Sequence, residues 1–226
     1  MKLDDPAISV PKNVRYGISR NLTLVVAGAG AVALTTLIQI PDGLALVALV
    51  FGVTVSTVGV TLGRFSSAHI NPAVTVAHGL AGKSSPKLFF PIVLFQVIGG
   101  ITGGIILSFF FPKSEASNYL GSTLLASTVP PWTGTTLEAA GTFVLSIMIL
   151  APLRRLGTKA NSTLVGLTLF ILIFILGPFT SASLNPARSI GPALVSGHLE
   201  NLEVYIVGPL LGGLVSGLIS RRLRIR

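Results

Sequence analysis

Two copies of the tripeptide Asn-Pro-Ala, each lying between apolar stretches, constrain the fold of this chain more than any other feature. One copy is Asn71, Pro72 and Ala73, and the other, 114 residues later, is Asn185, Pro186 and Ala187. Asn favours the N-cap of a helix, and Pro favours the first helical position because it has no N–H to lose. Each copy therefore predicts a short helix entered from an extended segment. A single Asn-Pro begins helices in many proteins, whereas two matching copies indicate an internal duplication.

The composition places both copies in a membrane protein. Half of the 226 residues are hydrophobic and only 10% are charged, and the mean hydropathy is +0.82. About twenty consecutive apolar residues span a bilayer, and the chain holds several such runs. Disulfides and thiolate metal sites are excluded, since there are no cysteines.

The apolar runs predict an all-α membrane protein with six transmembrane helices and two half-helices. The predicted spans are residues 15–39, 43–63, 87–111, 133–153, 161–178 and 203–220. They divide into inverted repeats over residues 15–111 and 133–222, which form one channel domain (15–222) after a cytoplasmic tail (1–14). An extracellular loop (112–132) links the halves. Because each half has three spans, the halves must insert with opposite orientation, which brings the two short helices together near the bilayer midplane.

Lysine and arginine predict the orientation. With both termini in the cytoplasm, 14 of the 16 basic residues fall on the inner side, and only Lys113 and Arg188 do not. This bias is typical of membrane proteins. It also explains the net charge of +9, so no nucleic-acid partner is predicted.

The short helices predict the chemistry of a pore. Two helix N-termini that face each other carry partial positive charge and unpaired N–H groups, so they repel cations, including hydronium. The amides of Asn71 and Asn185 can each donate to a passing oxygen, and the non-helical residues 66–69 and 180–183 can turn carbonyls into the path. Donors at the centre and acceptors along one wall favour small, polar, uncharged solutes.

Three other polar residues are candidates for roles at this centre, and two further histidines are assigned elsewhere. Arg188, one turn into the second short helix, either faces the pore or braces the turn by binding loop carbonyls. Glu138 is predicted to accept loop N–H groups rather than carry protons. His69 is either a pore-lining donor or a packed core histidine, whereas His78 is assigned to packing and His198 to a surface loop. The glycine-rich stretches, such as residues 27–30, are assigned to close helix packing.

Over about residues 20–220, the chain resembles the aquaporin (major intrinsic protein) family. The resemblance rests on Ser-x-x-His-Ile-Asn-Pro-Ala-Val-Thr at the first motif and Asn-Pro-Ala-Arg-Ser-x-Gly-Pro-Ala at the second. Gln96, and Glu138 followed by Thr142 and Phe143, also match the family pattern. The resemblance implies one pore per subunit, a homotetramer and a plasma-membrane location, with Glu138 and Gln96 as structural support.

The resemblance also implies a selectivity filter formed by Phe51, Ile173, Ala182 and Arg188. Water-selective members usually have His at the position of Ile173, and glycerol channels usually have Gly. The set is similar to that of some archaeal members, which implies passage of water and small uncharged molecules. One departure is Gly17, which occupies the position of the family's usual Glu in the first span.

The sequence is compatible with three functions. The first is a passive channel for water and small uncharged solutes that excludes protons and ions. The second is a channel mainly for glycerol, ammonia, CO₂ or other small neutral solutes with low water flux. The third, a secondary transporter, needs a coupling site, for which Glu138 is the one deep carboxylate. No catalytic pair, metal cluster or nucleotide loop is recognised, so an enzyme, a cofactor and a metal site are not predicted. The expected partners are neutral permeants and membrane lipids.

Overall fold

The computed structural model describes residues 12–62, 69–151 and 156–223. Every regular element in these ranges is a helix or a helical turn. The α-helices are α1 Lys12–Leu24, α2 Gly30–Leu37, α3 Gly43–Leu62, α4 Pro72–Leu80, α5 Phe89–Ser108, α6 Asn118–Gly121, α7 Pro131–Leu150, α8 Gly157–Thr180, α9 Pro186–Ser196 and α10 Leu202–Arg222. A π-helical turn, Val25–Ala29, joins α1 to α2. Two 3-10 turns, Pro86–Leu88 and Glu115–Ser117, precede α5 and α6.

Six helices within the described ranges are long and apolar enough to cross a membrane. They are Tyr16–Leu37, Gly43–Thr61, Phe89–Ser108, Pro131–Leu150, Gly157–Thr180 and Leu202–Arg222. The first of these spans combines most of α1 with the π-helical turn and α2. The two remaining longer helices, α4 and α9, have 9 and 11 residues. At a rise of 1.5 Å per residue, each covers about half of a ~30 Å hydrocarbon core. The predicted fold class, with six spans and two half-helices, is confirmed.

The helix ends differ from the predicted spans for local reasons. The fourth span was predicted to begin at residue 133, but α7 begins at Pro131, because Pro at the first helical position loses no hydrogen bond. The fifth was predicted to begin at 161, but α8 begins at Gly157. Residues 157–160 extend the helix, and a prediction based on hydropathy omits them because this stretch is polar. The third was predicted to reach 111, but α5 ends at Ser108, and Phe109 and Phe110 lie exposed in the following turn.

The long helices pack in pairs that repeat between the halves of the chain. In the first half α1 packs on α5, and in the second half α7 packs on α10. Helices α3 and α8, the middle spans of the two halves, pack on each other. Each half-helix packs on the last span of the opposite half, α9 on α5 and α4 on α10.

Glycine permits the close approach of each half-helix to its partner span. A Cβ added to Gly100 on α5 would lie 2.2 Å from the carbonyl oxygen of Ala187, and one on Gly213 of α10 would lie 2.3 Å from that of Ala73. Real Cβ atoms do not approach so closely, so both contacts require the absence of a side chain. The Ala of each Asn-Pro-Ala is therefore pressed against a glycine of the other repeat.

Some predictions concern residues outside the described ranges. These are most of the polar tail 1–14, residues 66–68 of the first predicted carbonyl wall, and basic residues at 64, 154, 155, 224 and 226.

Candidate pore and selectivity filter

The N-termini of the two half-helices meet at the centre of the protein. Asn71 is the N-cap of α4, and its Oδ1 accepts from the backbone N–H of Ala73 at 2.8 Å. Asn185 is the N-cap of α9, and its Oδ1 accepts from the N–H of Ala187 at 3.0 Å. Pro72 and Pro186 occupy the first helical positions. Both short helices begin as the Asn-Pro-Ala motifs predicted.

The side-chain amides also join the two repeats, which sequence analysis missed. Nδ2 of Asn71 donates to the carbonyl oxygen of Leu184 at 2.6 Å, and Nδ2 of Asn185 donates to that of Ile70 at 3.1 Å. A side-chain amide carries two N–H groups. One is used in this reciprocal bond, which leaves one on each Asn for a molecule in the cavity that both residues line.

A single cavity of about 190 Å³ contains these asparagines and the predicted filter residues. A water molecule needs roughly 10–15 Å³ of such volume, so the cavity accommodates several. Its wall includes all four predicted filter residues, both N-cap asparagines and His69. Much of the remaining wall is aliphatic, contributed by Leu24, Val55, Leu145, Ile149, Val165 and Leu169.

The predicted filter residues Phe51, Ile173, Ala182 and Arg188 all line this cavity, and each is at most 5% exposed. The guanidinium carbon of Arg188 lies 5.1 Å from the centre of the Phe51 ring, a cation–π distance. Nη1 of Arg188 donates to the carbonyl oxygen of Gly121 at 2.8 Å. The side chain of Arg188 thus lines the cavity and is also held by a loop carbonyl, an arrangement compatible with either predicted role.

A second cavity, of about 290 Å³, shares Ile173 with the central cavity. Its wall includes Thr35, Ile40, Gly43 and Ser181, and Ile173 belongs to the walls of both cavities. Ile173 is thus a wall residue shared by the central cavity and a space near the turn that joins α2 to α3.

Glu138 of α7 holds the segment that leads into α9. The side chain is fully buried. Its Oε1 accepts from the backbone N–H of Ser183 at 2.9 Å and from Oγ1 of Thr180 at 2.8 Å. Its Oε2 accepts from the N–H of Leu184 at 2.7 Å. These are the contacts that a scaffold acceptor makes: two donors are backbone N–H groups of the segment before α9, and the third is the hydroxyl of Thr180 at the end of α8.

Gln96 of α5 holds the segment that leads into α4. Its Nε2 donates to the carbonyl oxygen of His69 at 2.9 Å and to Oγ1 of Thr75 at 3.1 Å.

Gly17, where the family's Glu was expected, faces α5: an added Cβ would lie 3.3 Å from Cβ of Phe95. Arg20, which sequence analysis counted on the inner surface, is buried one turn further along α1 and is only 1% exposed.

His69 and His78 lie side by side in the wall of the central cavity. Their ring centres are 3.9 Å apart, with the planes tilted by 44°. His69 was predicted either to line the pore or to pack in the core, and its side chain lines the cavity while only 3% exposed. The assignment of His78 to packing alone was incomplete, since it also lines the cavity. The signal was available, because His78 lies seven residues after Asn71 and so on the same face of α4.

A six-span helical membrane protein whose two half-helices meet at a buried cavity is the class that this fold and site define. The family model described as major intrinsic protein matches residues 17–220. The chain belongs to this family, as its motifs implied.

Individual relatives agree with this assignment. The chain is 34% identical over 197 residues to a maize protein named aquaporin NIP1-1, an alignment that covers 84% of this chain and 66% of the relative. It is 33% identical over 219 residues to Arabidopsis thaliana aquaporin NIP1-2, covering 93% and 74%. It is 33% identical over 181 residues to human aquaporin-4, covering 79% and 56%. The chain thus spans about two thirds or less of several curated relatives that it matches.

A solved structure shares the fold. The X-ray structure of the aquaglyceroporin from Plasmodium falciparum superposes with a TM-score of 0.82, covers 94% of this chain and 97% of its own, and is 21% identical in sequence.

Proposed function

We propose that this protein is a passive transmembrane channel for water and small uncharged solutes that excludes protons and ions. The observation that carries the proposal is the single cavity whose wall contains Asn71, Asn185 and the four filter residues. One N–H of each asparagine is left for a permeant after the bonds between the repeats are made. A solute oxygen that leaves bulk water therefore finds donors at the centre of the path.

Ion exclusion follows from charge and desolvation. The N-termini of α4 and α9, each with roughly half a positive charge, face the same point, and Arg188 adds a full positive charge at the filter. A cation there loses its hydration and meets electrostatic repulsion. An anion also loses its hydration, and the wall replaces few of its hydrogen bonds, since the donors are mainly Arg188 and the two amides. Water and other neutral molecules lose less on entry. As part of this proposal, the selectivity filter is formed by Phe51, Ile173, Ala182 and Arg188, and His69 lines the pore.

The alternative is a channel mainly for glycerol, ammonia, CO₂ or other small neutral solutes, with low water flux. The aliphatic wall favours this alternative: Val55, Leu145, Ile149 and Leu169 accompany Ile173 along the cavity. Such a wall gives water few hydrogen-bond partners but fits the carbon skeleton of a polyol. Ile173 occupies the position where a histidine would favour water.

The assembly and location are further parts of the proposal. We infer a single channel domain over residues 15–222, a homotetramer in the plasma membrane, and cytoplasmic termini. Large apolar side chains such as Phe90, Phe174 and Ile175 are more than half exposed, as surfaces against lipid or neighbouring subunits require. The distribution of Lys and Arg supports the orientation. Membership of a channel family favours transport over enzymatic chemistry.

Stopped-flow light scattering on proteoliposomes tests the proposal. Vesicles with the protein are mixed with sucrose and then with glycerol, and empty vesicles are the control. Fast shrinkage in sucrose with slow glycerol re-entry is expected for a channel selective for water. Slow shrinkage with clear glycerol entry would instead support the alternative, and no difference from empty vesicles would contradict both.

A further inference from the structure

The π-helical turn of the first span contacts parts of the protein that hold two of the proposed filter residues. This turn, Val25–Ala29, has three buried residues, Val25, Gly28 and Ala29. Such turns are rare, occur mostly as single turns inside α-helices, and are frequent at functional sites. A Cβ added to Gly103 of α5 would lie 2.7 Å from Cβ of Val25. The turn is therefore packed tightly against α5, on a residue that is not part of the filter.

The ring of Phe51 packs on this turn at Gly28. A Cβ added to Gly28 would lie 2.2–2.5 Å from three carbons of the ring. The ring can therefore occupy its place only because residue 28 has no side chain. The guanidinium carbon of Arg188 lies 5.1 Å from the centre of the same ring. Phe51 is thus in contact both with the π-helical turn and with Arg188.

Arg188 is held by a residue that packs on the same turn. Its Nη1 donates to the carbonyl oxygen of Gly121 at 2.8 Å. A Cβ added to Gly121 would lie 2.1 Å from the carbonyl oxygen of Ala29, and φ of Gly121 is +70°. Both observations require glycine at this position. Two adjacent residues of the π-helical turn, Gly28 and Ala29, therefore contact Phe51 and the residue that binds Arg188.

The short helix α6, which ends at Gly121, is a left-handed turn. The φ angle is 49° at Asn118 and Tyr119, 63° at Leu120 and 70° at Gly121. The first three residues carry a Cβ, for which a left-handed helical conformation is unfavourable. Residues in such conformations persist only where the surrounding structure holds them, and they cluster at functional sites.

One hydrogen bond and one buried side chain stabilise this left-handed turn. Nδ2 of Asn118 donates to the carbonyl oxygen of Ser122 at 3.0 Å. The side chain of Leu120 is 0% exposed and belongs to a small apolar cluster with Val25 and Ala29 of the π-helical turn. Leu120 therefore anchors the left-handed turn on the π-helical turn.

We propose that the left-handed turn Asn118–Gly121, anchored on the π-helical turn through Leu120, positions Arg188 relative to Phe51 and thereby determines which solutes pass. If the left-handed turn shifts, the carbonyl group of Gly121 shifts with it, and the bonded guanidinium follows. The π-helical turn also supports Phe51, so it fixes both side chains at once. This inference rests on the channel function and the filter proposed above. Leu120 is a positioning residue in it, because it acts through Arg188.

Simple packing of the loop does not account for this arrangement. A loop that only connects two spans has no need of consecutive left-handed residues other than glycine. Here the unfavourable backbone leads directly to the carbonyl group that binds Arg188. The buried leucine of the turn also packs on the π-helical turn that contacts Phe51.

Leu120→Ala tests the positioning role, with Leu150→Ala as the matched control. Leu150 is also 0% exposed, but it lies at the end of α7, twelve residues beyond Glu138 and so about 18 Å further along the helix. Both variants should lower the unfolding temperature in detergent. Only Leu120→Ala should raise the ratio of glycerol to water permeability in proteoliposomes, by about threefold, less than the roughly tenfold expected when Arg188 is removed. Equal ratios in the two variants overturn the proposal.

Two further variants separate positioning from a loss of folding. Leu120→Met conserves the volume of the anchor and should keep the original ratio. Asn118→Ala weakens the same turn without touching its apolar anchor and should raise the ratio as Leu120→Ala does. It decides the proposal if Leu120→Ala does not fold, and an unchanged ratio in Asn118→Ala then overturns it.

A double-mutant cycle tests whether Leu120 acts through Arg188. In the Arg188→Ala background, Leu120→Ala should produce no further rise in the glycerol to water ratio, because coupled residues are not additive. An equal rise in both backgrounds would overturn the proposed route.

A thiol placed in the cavity wall reports the filter without any flux. The chain has no cysteine, so Ala182→Cys introduces a single thiol. Its reaction with methyl methanethiosulfonate in detergent should be about threefold faster when combined with Leu120→Ala, as for the permeability ratio, and unchanged when combined with Leu150→Ala. An unchanged rate with Leu120→Ala overturns the positioning role. Absence of water and glycerol flux in the original protein would instead overturn the channel function, and the thiol rates would still decide the positioning.

Discussion

The two Asn-Pro-Ala segments have the same local structure but different support. The segment before α9 is held by a carboxylate: Glu138 accepts from two backbone N–H groups and one hydroxyl. The segment before α4 is held by an amide, since Gln96 donates to the carbonyl oxygen of His69. The supports therefore have opposite hydrogen-bonding polarity. Of the filter residues, Ala182 and Arg188 belong to the second segment, and none belongs to the first.

The second segment has further ties to the loop that precedes α7. Oγ of Ser181 donates to the carbonyl oxygen of Leu124 at 2.9 Å and accepts from its N–H at 3.1 Å. Oγ1 of Thr123 donates to Oγ of Ser189 at 3.0 Å. Non-glycine residues Ser181, Ala182 and Leu184 have positive φ values of 45–59°, conformations that surrounding contacts must stabilise. The duplicated motif thus provides two similar helix starts, and the second has additional hydrogen bonds next to the proposed filter residues Ala182 and Arg188.

Glu138→Gln should have the largest effect, because it breaks the stronger support. Glutamine keeps the size but presents an N–H group to backbone N–H donors, and each buried unsatisfied group costs about 1–3 kcal/mol. We expect a lower unfolding temperature in detergent and a large loss of water flux. Glu203→Gln, at an exposed site on α10, is the control and should change neither. A stable, fully active Glu138→Gln protein would show that the carboxylate is not needed.

Arg188→Ala should have the next largest effect, on selectivity rather than on folding. It removes the bond to Gly121 and the contact with Phe51, and it widens the cavity at the filter. We expect glycerol permeability to rise by roughly tenfold, the discrimination that modest changes in pocket size provide, and proton leak to increase. Glycerol swelling and a vesicle-trapped pH dye measure the two. Arg222→Ala on the exposed end of α10 is the control, and an unchanged glycerol and proton leak in Arg188→Ala would exclude a filter role.

Gly28→Ala should narrow the proposed filter by displacing the ring of Phe51. A Cβ on Gly28 would lie 2.2–2.5 Å from three ring carbons of Phe51, so the ring must move. Phe51 lines the central cavity, into which we expect the ring to shift. We expect glycerol flux to fall by more than water flux. Gly79→Ala is the matched control, since nothing lies within 4 Å of its added Cβ. Equal fluxes in Gly28→Ala and the control would mean that the Phe51 ring moves without narrowing the cavity.

Ile173→His should sharpen selectivity by a smaller amount. It places a hydrogen-bonding group in the wall shared by the two cavities. We expect the ratio of water to glycerol permeability to rise severalfold, a difference of about 1 kcal/mol in transfer free energy. Ile173→Leu keeps the apolar character and should leave the ratio near that of the original protein. A ratio that changes equally in both variants would indicate an effect of shape alone.

Gln96→Met should have the smallest effect, because it removes the weaker support. It leaves the buried carbonyl oxygen of His69 without its donor, at about 1–3 kcal/mol, and removes one partner of Thr75. Methionine fills the space, and it places no N–H group against a backbone donor as Glu138→Gln does. The unfolding temperature should fall less than in Glu138→Gln, with flux largely kept. A larger fall in Gln96→Met than in Glu138→Gln would reverse the comparison between the two segments.

Sequence patterns predicted the local features of this protein well. Hydropathy identified the six spans, and Asn71-Pro72 and Asn185-Pro186 identified both half-helices, because capping depends only on neighbouring residues. Two features depend on distant contacts and were missed. They are the bonds between Asn71 and Leu184 and between Asn185 and Ile70, and the contact between Gly28 and the ring of Phe51. No local pattern reports which side chains two helices bring together.

Water and proton permeability measured on the same proteoliposomes would test the central claim most directly. The protein is compared with Ala182→Trp, in which a large ring fills the filter part of the cavity, and with empty vesicles. We predict fast osmotic shrinkage for the original protein, proton flux equal to that of empty vesicles, and shrinkage as slow as that of empty vesicles for Ala182→Trp. Equal shrinkage in Ala182→Trp, or a proton flux that rises together with water flux, would contradict a neutral-solute path through this cavity.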